Sequence, residues 1–146
     1  MEQTFPNRGG KMIELKVKTV TVDISGNFSV LLVDTEETKV LPIVIGPLEA
    51  HNIAMPIQGV TPPRPMTPDL LKSAIEKLGG IPKKVVITDI RNNTYNAEIH
   101  IRQNDQSIVL DSRPSDAIAL AVRCDIPIFM NFRLVEFTYD LSDMKF

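Results

Sequence analysis

Tryptophan is absent from this chain of 146 residues, which also has a single cysteine and two histidines. One cysteine excludes an internal disulfide and therefore excludes the small disulfide-stabilised secreted domains. A lone thiol is typical of a reducing compartment, so we expect a cytoplasmic protein. Two histidines far apart and one cysteine also disfavour a zinc centre, which needs three or four nitrogen or sulfur ligands.

Long apolar runs and an excess of basic charge are missing as well. No run approaches the roughly 20 residues that a membrane-spanning helix needs, so we expect no membrane partner. The net charge is −2 and the sequence pI about 5.7, which excludes a strongly basic nucleic-acid-binding domain. Binding of nucleic acid would therefore depend on a local patch or a metal ion. The glycine motifs of dinucleotide-binding enzymes, phosphate loops and serine hydrolases are absent too.

Apolar residues make up 43% of the chain, which is enough for one hydrophobic core and one domain. We predict a flexible N-terminal extension over 1–11, the domain over 12–135 and a C-terminal tail over 136–146. The segment from Asn131 to Phe146 has an apolar middle, at Leu134, Val135 and Phe137, followed by a loose acidic end.

Alternating apolar residues predict a first meander of three strands, near 13–24, 28–33 and 39–45. The apolar phase slips by one residue between Val17 and Val20, which predicts a β-bulge. Gly46 and Pro47 then open a helix that Pro56 bends or ends. A second helix follows and stops at Gly79 and Gly80.

The second half repeats this order. Strands are predicted near 83–91, 95–102 and 107–110, followed by an alanine-rich helix to about Arg123. Pro127 lies in the next apolar run, Ile126 to Met130, and so predicts an edge strand. The whole order predicts an α+β fold with a mixed or antiparallel sheet and about three main helices, with a β-β-β-α unit that is internally duplicated.

The corner between the last of those three strands and the alanine-rich helix concentrates charged and hydroxyl side chains: it reads Asp111-Ser112-Arg113-Pro114-Ser115-Asp116. Pro114 suits a first helical turn, and Ser112 or Arg113 precedes it as the cap. The positive helix end favours the carboxylate of Asp116. Arg113 can reach an acidic partner or a bound phosphate. The alternative interpretation is structural, because serine, aspartate and proline are ordinary residues of helix starts.

A similar corner lies upstream, in the order Arg64, Pro65, Met66, Thr67, Pro68 and Asp69. Here Thr67 is predicted as the cap, Pro68 as the first helical residue and Asp69 as a first-turn acid. Two corners of like composition indicate either a duplicated unit or one composite site.

Three ordered motifs then resemble the bifunctional nuclease domain family. They are Leu41-Pro42-Ile43-Val44-Ile45-Gly46 with Glu49-Ala50, Arg64-Pro65-Met66-Thr67-Pro68-Asp69-Leu70-Leu71, and Asp111-Ser112-Arg113-Pro114-Ser115-Asp116-Ala117-Ile118. The resemblance covers about Met12 to Val135. It implies an α+β domain that forms wedge-shaped homodimers with a groove for the active site and acts on both DNA and RNA.

The resemblance also places the shared polar residues of the family. They fall on Glu49, Arg64, Thr67, Asp69, Asp111, Arg113, Ser115 and Asp116. Family members commonly have Thr-His-Asp where this chain has Pro68 between Thr67 and Asp69, so an imidazole that could act as general base is absent. His51 and His100 are not obvious substitutes, because neither is predicted to converge on the two corners.

The resulting hypothesis is a nuclease that hydrolyses phosphodiesters with little sequence specificity, assisted by Mg²⁺ or Mn²⁺. Its expected metal ligands are Glu49, Asp69, Asp111 and Asp116, since hard cations prefer oxygen. Arg64 and Arg113 are expected to hold the phosphate and stabilise developing charge. Ser112, Ser115 and Thr67 are expected either to orient the bound ligand or to cap the helices. The alternative is a non-catalytic dimeric binding or regulatory module with the same fold.

Overall fold

The computed structural model describes residues 2–5 and 10–144, and nine strands in these residues form one mixed sheet. The strands are β1 (Glu2–Phe5), β2 (Gly10–Val22), β3 (Phe28–Asp34), β4 (Lys39–Ile45), β5 (Gly80–Arg91), β6 (Thr94–Gln103), β7 (Gln106–Ser112), β8 (Ile128–Asn131) and β9 (Tyr139–Asp140). The helices are α1 (Pro47–Ile57), α2 (Thr67–Lys77) and α3 (Pro114–Cys124). The predicted α+β class with three main helices is confirmed.

The sheet consists of two antiparallel meanders joined by one short strand. Its order is β7-β6-β5-β8-β2-β3-β4-β9, with β1 paired to β2. The first meander is β2-β3-β4, and its register shifts between Val17 and Thr19, where the bulge was predicted. The second is β5-β6-β7, whose first turn has Asn92 and Asn93 at φ 51° and 62°, the backbone of a tight hairpin turn. Each meander is followed by a helix, as the predicted β-β-β-α order requires.

Strand β8 lies in the middle of the sheet. Ile128 pairs antiparallel with Leu15 of β2 on one side and parallel with Val85 of β5 on the other. The prediction of an edge strand here was wrong. Pro127 lies just before the strand, so its missing N–H interrupts no ladder bond, and its carbonyl accepts a hydrogen bond from the Val85 N–H at 3.0 Å.

Both ends of the chain are built into the sheet where the structure describes them. In the predicted extension, Glu2–Phe5 pair with β2, while positions 1 and 6–9 of that extension lie outside the described residues. In the tail that was expected to be loose, Tyr139 and Asp140 pair with Val40 and Lys39 of β4. A 3₁₀ helix, Phe132–Phe137, buries Leu134 before that strand. Positions 145 and 146 lie outside the description.

The helices share one continuous core with one face of the sheet. Ile53 of α1, and Ile118 and Leu120 of α3, belong to the same buried cluster as Leu32 and Val85 of the sheet. On the opposite face, Leu31, Val33 and Val40 form a smaller cluster, against which Leu141 and Met144 pack. None of the helices in the described residues is long and apolar enough to cross a bilayer. This layering leaves the N-terminal ends of the helices at the edge of the core, where polar side chains can gather.

Candidate functional site

All three helices begin with a proline in the first turn, at Pro47, Pro68 and Pro114. Proline fits this turn because its missing N–H has no helical partner there. Helix α3 begins after Arg113, one of the two predicted caps. Helix α2 begins one residue earlier than predicted, so Thr67 is its first residue and Met66 its cap.

The three helix starts border two adjacent cavities. The first, the β4-side cavity, has a volume of about 380 Å³ and lies against β4, the turn before β6 and the starts of α1 and α3. The second, the α2-side cavity, has a volume of about 650 Å³ and lies against α1, the start of α2, the end of β7 and the start of α3. Glu49 and Arg113 line both cavities, so they form the ridge between them. We call the two cavities and this ridge the Arg113 groove.

Arg113 is held between two carboxylates on that ridge. Its Nε donates to Oδ2 of Asp116 at 2.9 Å and its Nη2 to Oδ1 at 3.1 Å. The same Nη2 lies 3.6 Å from Oε2 of Glu49. The hydrogen bond to Asp116 raises the pKa of Arg113, and so do the negative charges of Asp116 and Glu49. The Arg113 side chain is 64% exposed, so its charged guanidinium is accessible to an anion that enters the groove.

The position of Glu49 depends on a glycine. A Cβ atom at Gly46 would collide with Oε1 of Glu49. Gly46 has φ −79° and ψ 168°, a conformation open to any residue, so the missing side chain and not the backbone is what the site needs. Predicting this role requires knowing where the Glu49 side chain lies, which no local pattern reveals.

Asp69 is not brought to the Arg113 groove. Its Oδ1 accepts from Nε of Arg123 at 2.7 Å and its Oδ2 from the N–H of Met66 at 2.8 Å. It lines a different cavity, of about 490 Å³, on the other side of α2. Burial raises the pKa of Asp69, but the hydrogen bonds from Arg123 and Met66 outweigh it, and the net pKa is lowered. The two corners therefore do not form one composite site through their aspartates.

The hydrogen bond from Arg123 accounts for the direction of the Asp69 side chain. Its side chain is 6% exposed, and its Nη1 donates to the carbonyls of Asn52 and Ala119 at 2.7 and 2.9 Å. It thus joins all three helices. Sequence analysis missed this residue, and the one available signal was a basic residue in the last turn of α3, which suits the negative end of the helix dipole.

The remaining predicted residues divide between the groove and its surroundings. Thr67 and the exposed Asp111 line the α2-side cavity, and the buried Ser115 lines the β4-side cavity. Pro68 is buried in the wall of the α2-side cavity. Arg64 is exposed before α2 and lines neither cavity. His51 lines neither cavity, nor does His100, which contacts Glu98 at 3.1 Å.

The four proposed metal ligands do not converge. Within the described residues, no group of three or more histidine, cysteine, aspartate or glutamate side chains could hold a metal ion. Asp69 is committed to Arg123, while Glu49 and Asp116 share Arg113. These residues therefore do not fit a ready-made cation cage.

One further polar group in the groove has no partner. Asn52 lines the α2-side cavity, and its Oδ1 is buried without a hydrogen bond to any described residue. Buried polar atoms are nearly always paired, so this oxygen is an exception among the described residues. Asn52 follows Glu49 by three residues in α1 and so shares a helix face with it, but this spacing does not reveal that the oxygen is unpartnered.

Comparison with known proteins gives the groove its context. The sequence profile of the bifunctional nuclease domain matches residues 30–139. An uncharacterized protein of Mycobacterium tuberculosis (strain ATCC 25618 / H37Rv) is 39% identical over 120 residues, which are 82% of this chain and 71% of that protein.

Two plant proteins are similar over a shorter part of their own length. Bifunctional nuclease 1 of Oryza sativa subsp. japonica is 28% identical over 108 residues, covering 72% of this chain and 33% of that protein. Bifunctional nuclease 2 of Arabidopsis thaliana is 32% identical over 94 residues, covering 62% of this chain and 29% of that protein. This chain therefore spans about a third of the plant proteins, and it includes the groove residues from Glu49 to Asp116 within the matched profile.

Proposed function

Because this chain belongs to the bifunctional nuclease domain family, we propose that it binds phosphodiesters of DNA and RNA in the Arg113 groove and hydrolyses them with little sequence specificity. The proposal rests on the similarity to plant bifunctional nucleases and on one observation of this molecule. An exposed arginine lies between two carboxylates, on a ridge that three helix N-termini surround.

The helix starts favour an anion at this ridge. First-turn amides and the positive ends of helix dipoles attract phosphate, and the planar guanidinium of Arg113 matches two phosphate oxygens. Three carboxylates, on Glu49, Asp111 and Asp116, oppose this attraction. Phosphate therefore binds by taking the place of a carboxylate on Arg113, and the displaced carboxylate is left beside the phosphorus.

The released carboxylate supplies the missing base. In this proposal Asp116 accepts a proton from water as the water oxygen attacks phosphorus, and the bond to the leaving oxygen breaks. The leaving oxygen takes its proton from solvent. Arg113 stabilises the negative charge that develops on the phosphoryl oxygens. Glu49 holds Arg113 in place from the other side, which makes it a positioning residue.

The test is cleavage of labelled single-stranded DNA and RNA by the purified chain, with Mg²⁺, with Mn²⁺ and with chelator. Asp116→Asn and Arg113→Gln are expected to lower the cleavage rate by about a hundredfold or more. Asp105→Asn, in the turn before β7, is the matched control and keeps full activity. Cleavage by Asp116→Asn at the rate of the unchanged chain would refute the assignment. Loss of all cleavage with chelator would show that a divalent ion takes part.

A second candidate is a non-catalytic dimeric binding or regulatory module. It is favoured by Pro68, which fills the wall of the α2-side cavity where family members commonly have an imidazole. This candidate predicts nucleic-acid binding that weakens steeply with salt, without cleavage. The homodimer itself is a proposal for both candidates, and sedimentation at two protein concentrations tests it.

A further inference from the structure

We propose that two copies of this chain pair through β7, antiparallel and centred on Val109, and that the partner subunit closes the outer side of the α2-side cavity. The inference rests on the proposed function in one respect, because it gives the homodimer named there a surface and a register. It does not require that the chain hydrolyse nucleic acid.

Strand β7 is an open edge of the sheet in the described part of the chain. It ends the strand order, is seven residues long, and pairs with β6 from Gln106 to Ser112 without a shift in register. Alternate N–H and C=O groups of such a strand point away from the sheet. Proteins commonly protect an edge with lysine, proline or a bulge, and β7 has none of these. It is therefore suited to pairing with another strand.

The opposite edge of the sheet is protected. Its outer strand is the short β9, which pairs with Lys39 and Val40 of β4. Farther along β4 lies Pro42, which has no N–H to donate to a further strand. Of the two edges in the described residues, β7 is thus the one open to pairing.

The sequence of β7 is complementary to itself. In an antiparallel pair centred on Val109, each Val109 faces its copy, Leu110 faces Ile108 of the partner subunit, and Asp111 faces Ser107 of the partner subunit. Asp111 is the one charged residue of the strand, so no like charges are opposed. Val109 is 47% exposed and Leu110 38% exposed. The pairing therefore buries apolar surface as well as backbone.

Helix α2 runs alongside β7 in the opposite direction. Its first turn and the end of β7 line the α2-side cavity together. Near its other end, the carbonyl of Leu78 accepts a hydrogen bond from Nε2 of Gln103 at 2.8 Å, and Gln103 pairs with Gln106 at the start of β7. The middle of α2 thus lies near Val109. One two-fold axis through Val109 therefore brings the strands and the helices of two copies together.

The flank of α2 that faces away from α3 is apolar. Asp69 and Lys72 lie on the flank toward α3, where both bond to Arg123. Leu70 and Ala74 lie on the opposite flank, four residues apart, and both are exposed, Leu70 to 62%. Across the proposed axis, the same flank of the partner subunit covers these side chains. The helix therefore supports the same partner as the strand.

The pairing also extends the wall of the α2-side cavity. Leu110 lines this cavity and pairs in the sheet with Ile99 of the core, so it lies on the helix side of the sheet. Residues opposite each other in neighbouring strands share a face. Ile108 of the partner subunit, opposite Leu110, is therefore on the cavity side as well. The partner contributes an apolar side chain to the outer wall.

The test places charges at position 109 and measures the dimer by sedimentation equilibrium. Val109→Lys and Val109→Glu each oppose two like charges across the axis, so we expect each to raise the dissociation constant by about a hundredfold or more. An equimolar mixture of the two variants is expected to dimerise again, with one chain of each kind, because opposite charges then face each other. Val22→Lys, an exposed change at the end of β2, is the matched control and dimerises like the unchanged chain.

Amide hydrogen exchange of the unchanged chain is a second measurement and needs no variant. The amides of β7 that point away from β6 are expected to exchange more slowly as the protein concentration rises through the dissociation constant. Exchange along β7 that does not depend on concentration would overturn the interface.

Cleavage of nucleic acid is measured on the same preparations, so the two proposals fail separately. A dimer that both charged variants lose and their mixture restores supports the interface, even in a chain that cuts nothing. A chain that is monomeric at about 100 μM, or a dimer that either charged variant leaves intact, overturns the interface even if the chain cleaves nucleic acid.

Discussion

Arg113 and Arg123 lie at opposite ends of α3, and each holds an aspartate. The Arg113 side chain is 64% exposed and that of Arg123 6% exposed. A buried arginine that loses its partner is left as an uncompensated charge, whereas an exposed one is solvated. At the scale of residues, the Asp116 pair can open for a ligand, while the Asp69 pair serves the fold.

We expect Asp69→Ala to lower the free energy of unfolding by about 2 kcal/mol, because Arg123 and the Met66 N–H lose their acceptor. Asp116→Ala is expected to change it by less than about 1 kcal/mol, since its partner is exposed. Urea unfolding of both variants measures the difference. Equal losses of stability would contradict the division between the two aspartates.

The contribution of Asp69 to stability depends on pH. Its pKa is lowered in the folded chain from an ordinary value of 3.8, so the folded state favours the ionised form. The stabilisation is fully present well above pH 3.8 and is lost as the pH falls through the lower folded pKa. The stability gap between the unchanged chain and Asp69→Asn should therefore narrow as the pH falls from 5 to about 2, as measured by thermal unfolding.

Gly46→Ala tests how the groove positions Glu49. The added methyl group occupies the place of Oε1 of Glu49, so the carboxylate moves away from Arg113 while its charge is kept. We expect a cleavage rate lower by about tenfold or more, with unchanged stability, because small displacements at a reacting centre are costly. Leu78→Ala, an exposed change at a residue that lines neither cavity, is the control. Unaltered cleavage by Gly46→Ala would show that the position of Glu49 is unimportant.

At the scale of elements, first-turn residues of all three helices line the α2-side cavity. Their prolines were identifiable from sequence, since proline has a strong local preference for a first turn. The cap of α2 was misplaced by one residue, because Thr67 is an ordinary cap residue while the actual cap contact comes from Asp69 reaching back to Met66. Composition thus indicates where a helix begins to within a residue, while the side-chain contacts decide the cap.

Pro68 in the first turn of α2 stands where family members commonly have histidine, so this position tests whether an imidazole there acts as a base. We expect Pro68→His to place an imidazole in the wall of the α2-side cavity and raise the cleavage rate by about a hundredfold, with the rate rising through a pKa near 6.5. Pro68→Ala controls for loss of the ring. The measurement is the rate of cleavage against pH. A pH profile equal to that of Pro68→Ala would exclude a base at this position.

At the scale of the whole molecule, local signals predicted most of the elements but not their neighbours. The helix stop at Gly79 and the alternating strands depend on nearby residues, and they were predicted. The central place of β8 depends on Leu15 and Val85, which are distant in sequence, so Pro127 was misinterpreted. The same limit applies to the site. The family motifs indicated Glu49 and Arg113, but the pairing of Asp69 with Arg123 depends on how α2 packs on α3, which no local motif encodes.

Replacing Phe129 tests how much the central strand β8 contributes to the stability of the fold. It is 2% exposed and packs with Met12 of β2 and Val86 of β5. We expect Phe129→Ala to lower the free energy of unfolding by about 3–5 kcal/mol, because it leaves a cavity between the two meanders. Urea unfolding measures the loss, with Phe132→Ala, an exposed phenylalanine, as the control. A loss below about 1 kcal/mol would mean that β8 does not join the meanders.

The place of β8 also orders events during translation. The ribosome releases β2 and β5 long before Ile128, so the growing chain carries two half-sheets whose facing edges have no partner strand. Glu49 belongs to the first half and Arg113 to the second. The two half-sheets share a hydrogen-bonded strand only once β8 has been synthesised, so a nascent chain that stalls before Ile128 contains every groove residue and still lacks the strand that joins the halves.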